Sequence, residues 1–307
     1  TISGELDAAT LDISGNADID GTLETDALTI NGSALNYKAF GTSSIMFGDN
    51  ATGTIDAADN NTGVGVDVFA ALTSGDNNVA VGKGALTVNT TGAGNTAIGT
   101  NALTANTTAI NNVAVGFNAL DANTTGALNV GIGTYALSAN TTAAGNVAVG
   151  VSALEANTTG DDNVAVGYAA LDANTTGSDN TAFGDNALGA VTTNSQNTAV
   201  GSSALLVNTA ANQTAVGSSS MTANTTGTAN VAVGYQSLYT NSTGASNTAI
   251  GYRALKLNAT TNQNTAVGTD ALATNVAGGN TAVGYLALYA NTTGTGNVAV
   301  GWSALDA

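Results

Sequence analysis

The sequence predicts an all-β fold: a parallel β-solenoid, or β-roll, of 15 coils with a repeat of about 17 residues, preceded by a short β-rich stem. Three observations carry that expectation. First, an Asn-Val-Ala-Val-Gly element, followed by Ala-Leu and Ala-Asn-Thr-Thr-Gly, recurs through residues 61–307, most cleanly as NVAVGYAALDANTTGSD at 163–179. Its opening Asn falls at Asn61, Asn78, Asn95 and onward to Asn297, with Gln213 in one slot; this makes 15 units, the last incomplete. Second, the chain is dense in Gly, Asn, Thr and Val, which are poor helix formers, and no 3.6-residue period is sustained. Third, five Phe, eight Tyr and one Trp are too few large side chains for a thick globular core, yet the apolar residues recur in columns too regular for disorder. Units this short bury a core only by stacking on one another.

Residues 1–35 hold a different repeat of the same length. ISGELDAATLDISGNAD (2–18) aligns with IDGTLETDALTINGSAL (19–35), and the Leu-x-Ile alternation has the two-residue period of strands. Residues 36–60 fit neither repeat and cluster Tyr37, Phe40, Met46 and Phe47, which predicts a hydrophobic transition segment capping the open end of the stack. Residues 61–307 are the array. Thr1 in place of Met, and a unit cut at Ala307, predict a processed or truncated chain.

Within one unit the Asn-Val-Ala-Val-Gly element reads as a strand ended by Gly. Alternation puts its second and fourth residues on one face and the third, nearly always Ala, on the other. A slot that stays tiny implies close approach, either by the opposite wall of a narrow coil or by another chain. Taken as an outward strip, the Ala column predicts a flat apolar surface that a homotrimer would bury. The large column is Leu86, Leu103, Leu120, Leu137, Leu154, Leu171, Leu188, Leu205, Met221, Leu238, Leu255, Leu272, Leu288 and Leu305, and it is predicted to form the core. Two Asn columns, the opening Asn and the Asn of Asn-Thr-Thr, are expected at corners, bonding from coil to coil. Two units are 16 residues long, and both lose their residue after the second Asn, which marks that stretch as an external turn.

At these motifs, as in NVAVGYQSLYTNSTGASNTAIGYRAL (230–255), the chain resembles the head repeats of trimeric autotransporter adhesins, and more closely the repeat arrays of phage and prophage tail fibres. The leader at 1–35 is similar to the stems of phage fibres. The adhesin heads are left-handed parallel β-rolls packed as trimers, with coils usually shorter than 17 residues. The resemblance implies a homotrimeric extracellular fibre, on a virion or a cell surface.

The chemistry of the side chains points the same way. His and Cys are absent, so neither the commonest general base nor a thiolate is on hand, and no enzyme, cofactor or metal is expected. A net charge of −17, with Lys38, Lys83, Arg253 and Lys256 as the basic residues, argues against nucleic acid, and no apolar run is long enough to insert in a membrane. Asp121, Glu155 and Asp172 share one slot after Leu and are expected as an exposed column. Phe117, Tyr168, Tyr235, Tyr252, Tyr285 and Trp302 recur just after the strand Gly and are candidates for stacking on a host-surface glycan or receptor, or for packing on neighbouring coils. The Asn-Thr-Thr sequons are read as turns rather than glycosylation sites. The expected function is that of a structural or adhesive fibre segment, the shaft of a trimeric tail fibre. The alternatives are an adhesin or filament that binds along its sides and, more remotely, an ice-binding solenoid.

Overall fold

The computed structural model describes residues 58–306 and the strands Leu28–Ile30 (β1), Ser33–Leu35 (β2), Tyr37–Phe40 (β3) and Ser44–Phe47 (β4). The chain divides into two compact units, Thr1–Asn36 and Tyr37–Ala307. In the first, β1 and β2 form an antiparallel hairpin pairing Leu28 with Leu35 and Ile30 with Ser33. The leader repeat over 2–18 lies outside the described residues.

The second unit is a parallel β-solenoid of 15 strands and about 14 turns. Its strands are three residues each, from Thr62–Val64 (β5) through Val147–Val149 (β10) and Val164–Val166 (β11) to Val298–Val300 (β19). Each pairs in register with the next, Val147 with Val164 and Ala148 with Ala165, so equivalent residues stack in columns. At about 4.8 Å per strand the stack runs roughly 70 Å. The ladder stays open. Among the described residues β19 pairs with β18 (Thr281–Val283) alone, while at the other edge β4 pairs parallel with β5 and antiparallel with β3. The hairpin of β3 and β4 thus covers the strand edge of the first coil, where the sequence predicts a cap.

The coil at 163–179 shows why this sequence winds as it does. The Val164 N–H donates to the Asn180 carbonyl at 2.8 Å and the Gly167 N–H to the Val149 carbonyl at 2.8 Å, joining the coil to both neighbours. Gly167, at φ 135°, turns the chain; a Cβ there would lie 2.6 Å from the Gly184 carbonyl oxygen, so only glycine fits. The chain then alternates through left-handed positions at Ala169 (φ 48°) and Leu171 (φ 54°). Their N–H groups donate to Val151 at 3.0 Å and to Ala187 at 2.9 Å, again one bond to each neighbouring coil. The second wall is therefore hydrogen-bonded to both neighbouring coils, as the strand wall is, although it is not a strand.

The core is thin and has two layers. The Leu column from Leu86 to Leu272, Met221 included, is fully buried, and Leu288 nearly so. The third strand slot is buried as well: Ala80, Ala97, Ala114, Ala148, Ala165 and their equivalents all face inward. This corrects the outward Ala strip. The small residue faces the opposite wall, because the Leu column leaves no room for more. At Gly131, which takes the Ala slot, an added Cβ would sit 3.3 Å from the Leu120 side chain. Leu305, assigned to the core column from sequence, is 62% exposed, with no described coil stacked upon it. Val68, Phe69 and Leu72 fill the first coil with larger side chains.

Both Asn columns lie inside and hold the corners. The Asn163 N–H donates to Asn146 Oδ1 at 2.9 Å while Asn163 Nδ2 donates to the Gly177 carbonyl at 2.8 Å. Asn174 Nδ2 bridges Asn157 Oδ1 at 2.9 Å and the same Gly177 carbonyl at 2.9 Å. Each amide thus ties its own turn shut and links it to the next coil. Gln213 reproduces the pattern, donating to the Gly227 carbonyl at 2.8 Å and accepting from the Asn230 N–H at 3.2 Å. Every buried side-chain nitrogen and oxygen among the described residues is hydrogen-bonded. That matters because each unpaired one would cost about 1–3 kcal/mol.

Candidate functional site

The outer surface has three faces: the strand wall, the ridge after the strand Gly and the external turn. On the strand wall the second and fourth slots face outward. Val or Thr fills the second slot and Val, Ile or Phe the fourth, with Val64, Ile98, Ile132, Phe183, Ile250 and Val283 all exposed. The apolar strip expected from the Ala column therefore exists, but it is built from these larger residues.

The external turn has little free chemistry to offer. In the Asn-Thr-Thr segment the first Thr hydroxyl bonds the carbonyl of its equivalent in the next coil, Thr158 to Thr175 at 3.0 Å and Thr175 to Thr192 at 3.0 Å. Of the sequon asparagines, Asn89, Asn106, Asn123, Asn140, Asn157, Asn174 and Asn224 are fully buried with their amides bonded, so the folded coil presents none of these seven to a glycosyltransferase.

On the ridge, all six sequence-selected aromatics are exposed: Phe117, Tyr168, Tyr235, Tyr252, Tyr285 and Trp302. They do not form one continuous platform. Tyr235 and Tyr252 stack at 5.6 Å between centroids and 17° between planes, and Tyr285 and Trp302 at 6.1 Å and 15°. Phe117 meets Tyr135 edge to face at 5.5 Å, while Tyr168 has no ring partner among the described residues. Parallel rings this close overlap with an offset, so part of each face is turned to its neighbour rather than to solvent. Tyr135 was missed from sequence because it sits one slot later than the others.

The acids behave differently from the exposed column expected of them. Asp121, Glu155 and Asp172 are half-buried. Burial pushes the Asp121 and Asp172 carboxyls above the ordinary 3.8, and the Glu155 charge adds to this at Asp172, against hydrogen bonds from nearby backbone N–H groups. The carboxylates sit beside the Leu column, on the second wall, where the slot is flanked by the coils above and below.

A polar cluster that sequence reasoning did not single out lies in the coils at 247–289. Arg253 Nε and Nη2 grip Asp270 Oδ1 and Oδ2 at 2.8 and 3.0 Å, and the guanidinium lies 5.0 Å from the Tyr252 ring centroid. Asp270 is buried, and Arg253, Lys256, Asp270, Thr274 and Tyr289 line a shallow depression of about 150 Å3. The available signal was positional: Arg253 and Asp270 occupy the same slot of consecutive coils, which puts them side by side. Among the described residues no group of three or more Asp or Glu side chains converges to hold a metal ion, and no helix is long and apolar enough to cross a membrane. In comparisons with known proteins, no family model and no curated sequence matches the chain.

Proposed function

We propose that this protein is a structural segment of an extracellular fibre, the shaft of a trimeric phage tail fibre, whose work is mechanical. The observation that carries this reading is the double Asn ladder inside an unbroken backbone ladder. Every coil is bonded to the next along its strand wall, its second wall and the opening-Asn corner, and most also at the second Asn corner, which is interrupted where Val191 takes the Asn slot, so bending or slipping the rod breaks many bonds at once. Such a rod resists proteases, since no loop among its coils is long enough to enter a cleft without unwinding its neighbours. Three copies packed along their strand walls would cover the exposed apolar strip. Electron microscopy should show rods near 70 Å for the array, and light scattering a mass near three chains. Compact particles of one chain that proteases cut between coils would overturn the shaft.

A second reading, a cell-surface adhesin or filament that binds along its sides, is supported by the exposed aromatics on the ridge. A glycan-array signal from this segment alone would favour it over a shaft that only displays a tip elsewhere.

A further inference from the structure

Charge is distributed unevenly along the array. Nineteen of the 21 acids lie at or before Asp185, whereas from 186 to 306 the only charged side chains are Arg253, Lys256, Asp270 and Asp306. Both cations of this stretch line the depression between the coils at 247 and 280, beside the stacked Tyr235 and Tyr252. We propose that this depression binds one carboxylated sugar unit of a surface glycan, a uronic or sialic acid. This goes beyond a mechanical shaft and rests on the reading of a fibre that binds along its sides.

Each part of the site argues for that class of ligand. Arg253 is held rigid by its two bonds to Asp270 and by the Tyr252 ring, which leaves Nη1 outside the ion pair. Lys256 forms no ion pair among the described residues, so its ammonium is open to a carboxylate. Leu257 and the Tyr289 ring supply the apolar wall on which the C–H face of a pyranose rests, while the Asp270 carboxylate can accept from sugar hydroxyls. The volume of about 150 Å3 suits one ring rather than a peptide or a nucleotide. A polyanion would have to lie along a chain of net charge −17, whereas a single carboxylate meets only the local field, which salt screens beyond about 8–10 Å.

The test is saturation-transfer NMR on the full chain with sialyllactose, methyl galacturonide (one carboxylate) and neutral lactose, run beside light scattering on the same samples. Signal is expected from one or both acidic sugars and not from lactose. Lys256→Gln should weaken binding about tenfold, as expected for one lost charged hydrogen bond, and Lys256→Arg should restore it. The melting temperature of both variants should match that of the native chain, because Lys256 lies outside the core columns. Signal equal for lactose, signal unchanged in Lys256→Gln, or none from either acidic sugar with the rods intact would overturn the site. The mass measured alongside judges the trimeric shaft separately.

Discussion

At the scale of single residues, the least expected feature is a buried Leu in the left-handed region in nearly every coil. Such a conformation costs a non-glycine residue about 1–2 kcal/mol, while burying a Leu contributes about 1.5–3 kcal/mol, so burial outweighs strain by a small margin. Leu171→Ala should therefore lose about 2–5 kcal/mol of burial and keep the strain. Leu171→Gly loses the same burial but relieves the strain, so it should be no worse than Ala and better by about 1 kcal/mol. Ala170, next door and not left-handed, should show the reverse, with Gly worse than Ala by about 0.5–1 kcal/mol. Denaturation midpoints for the three variants decide it; Leu171→Gly falling below Leu171→Ala would disprove the strain account. Asp172 offers a second test. Because burial raises its carboxyl pKa in the folded coil, the folded state binds its proton more tightly than the unfolded chain does. Its contribution is thus complete below the unfolded value and is lost as pH rises past it toward the folded one. Asp172→Asn should raise the melting temperature at pH 7 and leave it unchanged near about pH 3, where both states are protonated. An equal shift at both pH values would mean the effect is not ionisation.

At the scale of the coil, the two walls and the turn tolerate change differently. The shortened coils show where slack exists. Asn208 Nδ2 closes its turn on the Ala210 carbonyl, two residues on, at 2.7 Å, where Asn174 reaches three residues to Gly177 at 2.9 Å. One residue between the second Asn and the buried turn position is dispensable. Deleting Thr176 should leave the stack intact, with a small loss of stability. Deleting Tyr168 should be severe, because it shifts the left-handed pair at Ala169 and Leu171 against Val151 and Ala187 and pulls Leu171 out of its column. Melting curves of the two deletions check this, and equal losses would contradict the assigned register. Much of this element was readable in advance. Period, strand, Leu column and both Asn columns follow from residue identity at fixed spacing, since stacking forces identical residues together. Which strand face points inward did not follow. Alternation separates Ala165 from Val164 and Val166 but is blind to direction, and the usual preference for larger apolar residues inside gives the wrong answer here, where the Leu171 column already fills the coil. The left-handed Leu was equally hidden, because the residues that normally announce that conformation are Gly and Asn. Arg253, Asp270 and Tyr289 escaped notice because they depart from the repeat, and a period search discards departures.

At the scale of the whole molecule, the question is what covers the strand wall. Its outward residues form a strip about 7 Å wide and 70 Å long, or roughly 500 Å2, near the upper end of what a monomer leaves bare. The strip is flat because the strands stack in register, and it carries Val, Ile, Phe and Thr with no charged side chain in either outward slot of β5–β19. The acidic residues of the array lie elsewhere and do not guard this face. A second and third copy of the same strip, related by a three-fold axis, would bury it without leaving any edge for a fourth. Glu at Val149, Phe183 and Val216 would place charges at three levels of that axis, facing their own copies. In a trimer, these substitutions should reduce the mass from three chains to one. The coils themselves should persist by circular dichroism, since all three side chains point away from the core. If the native chain already runs as one chain at micromolar concentration, the strip is a free surface. The trimer then falls, and the exposed Val and Thr must be explained by a partner other than self.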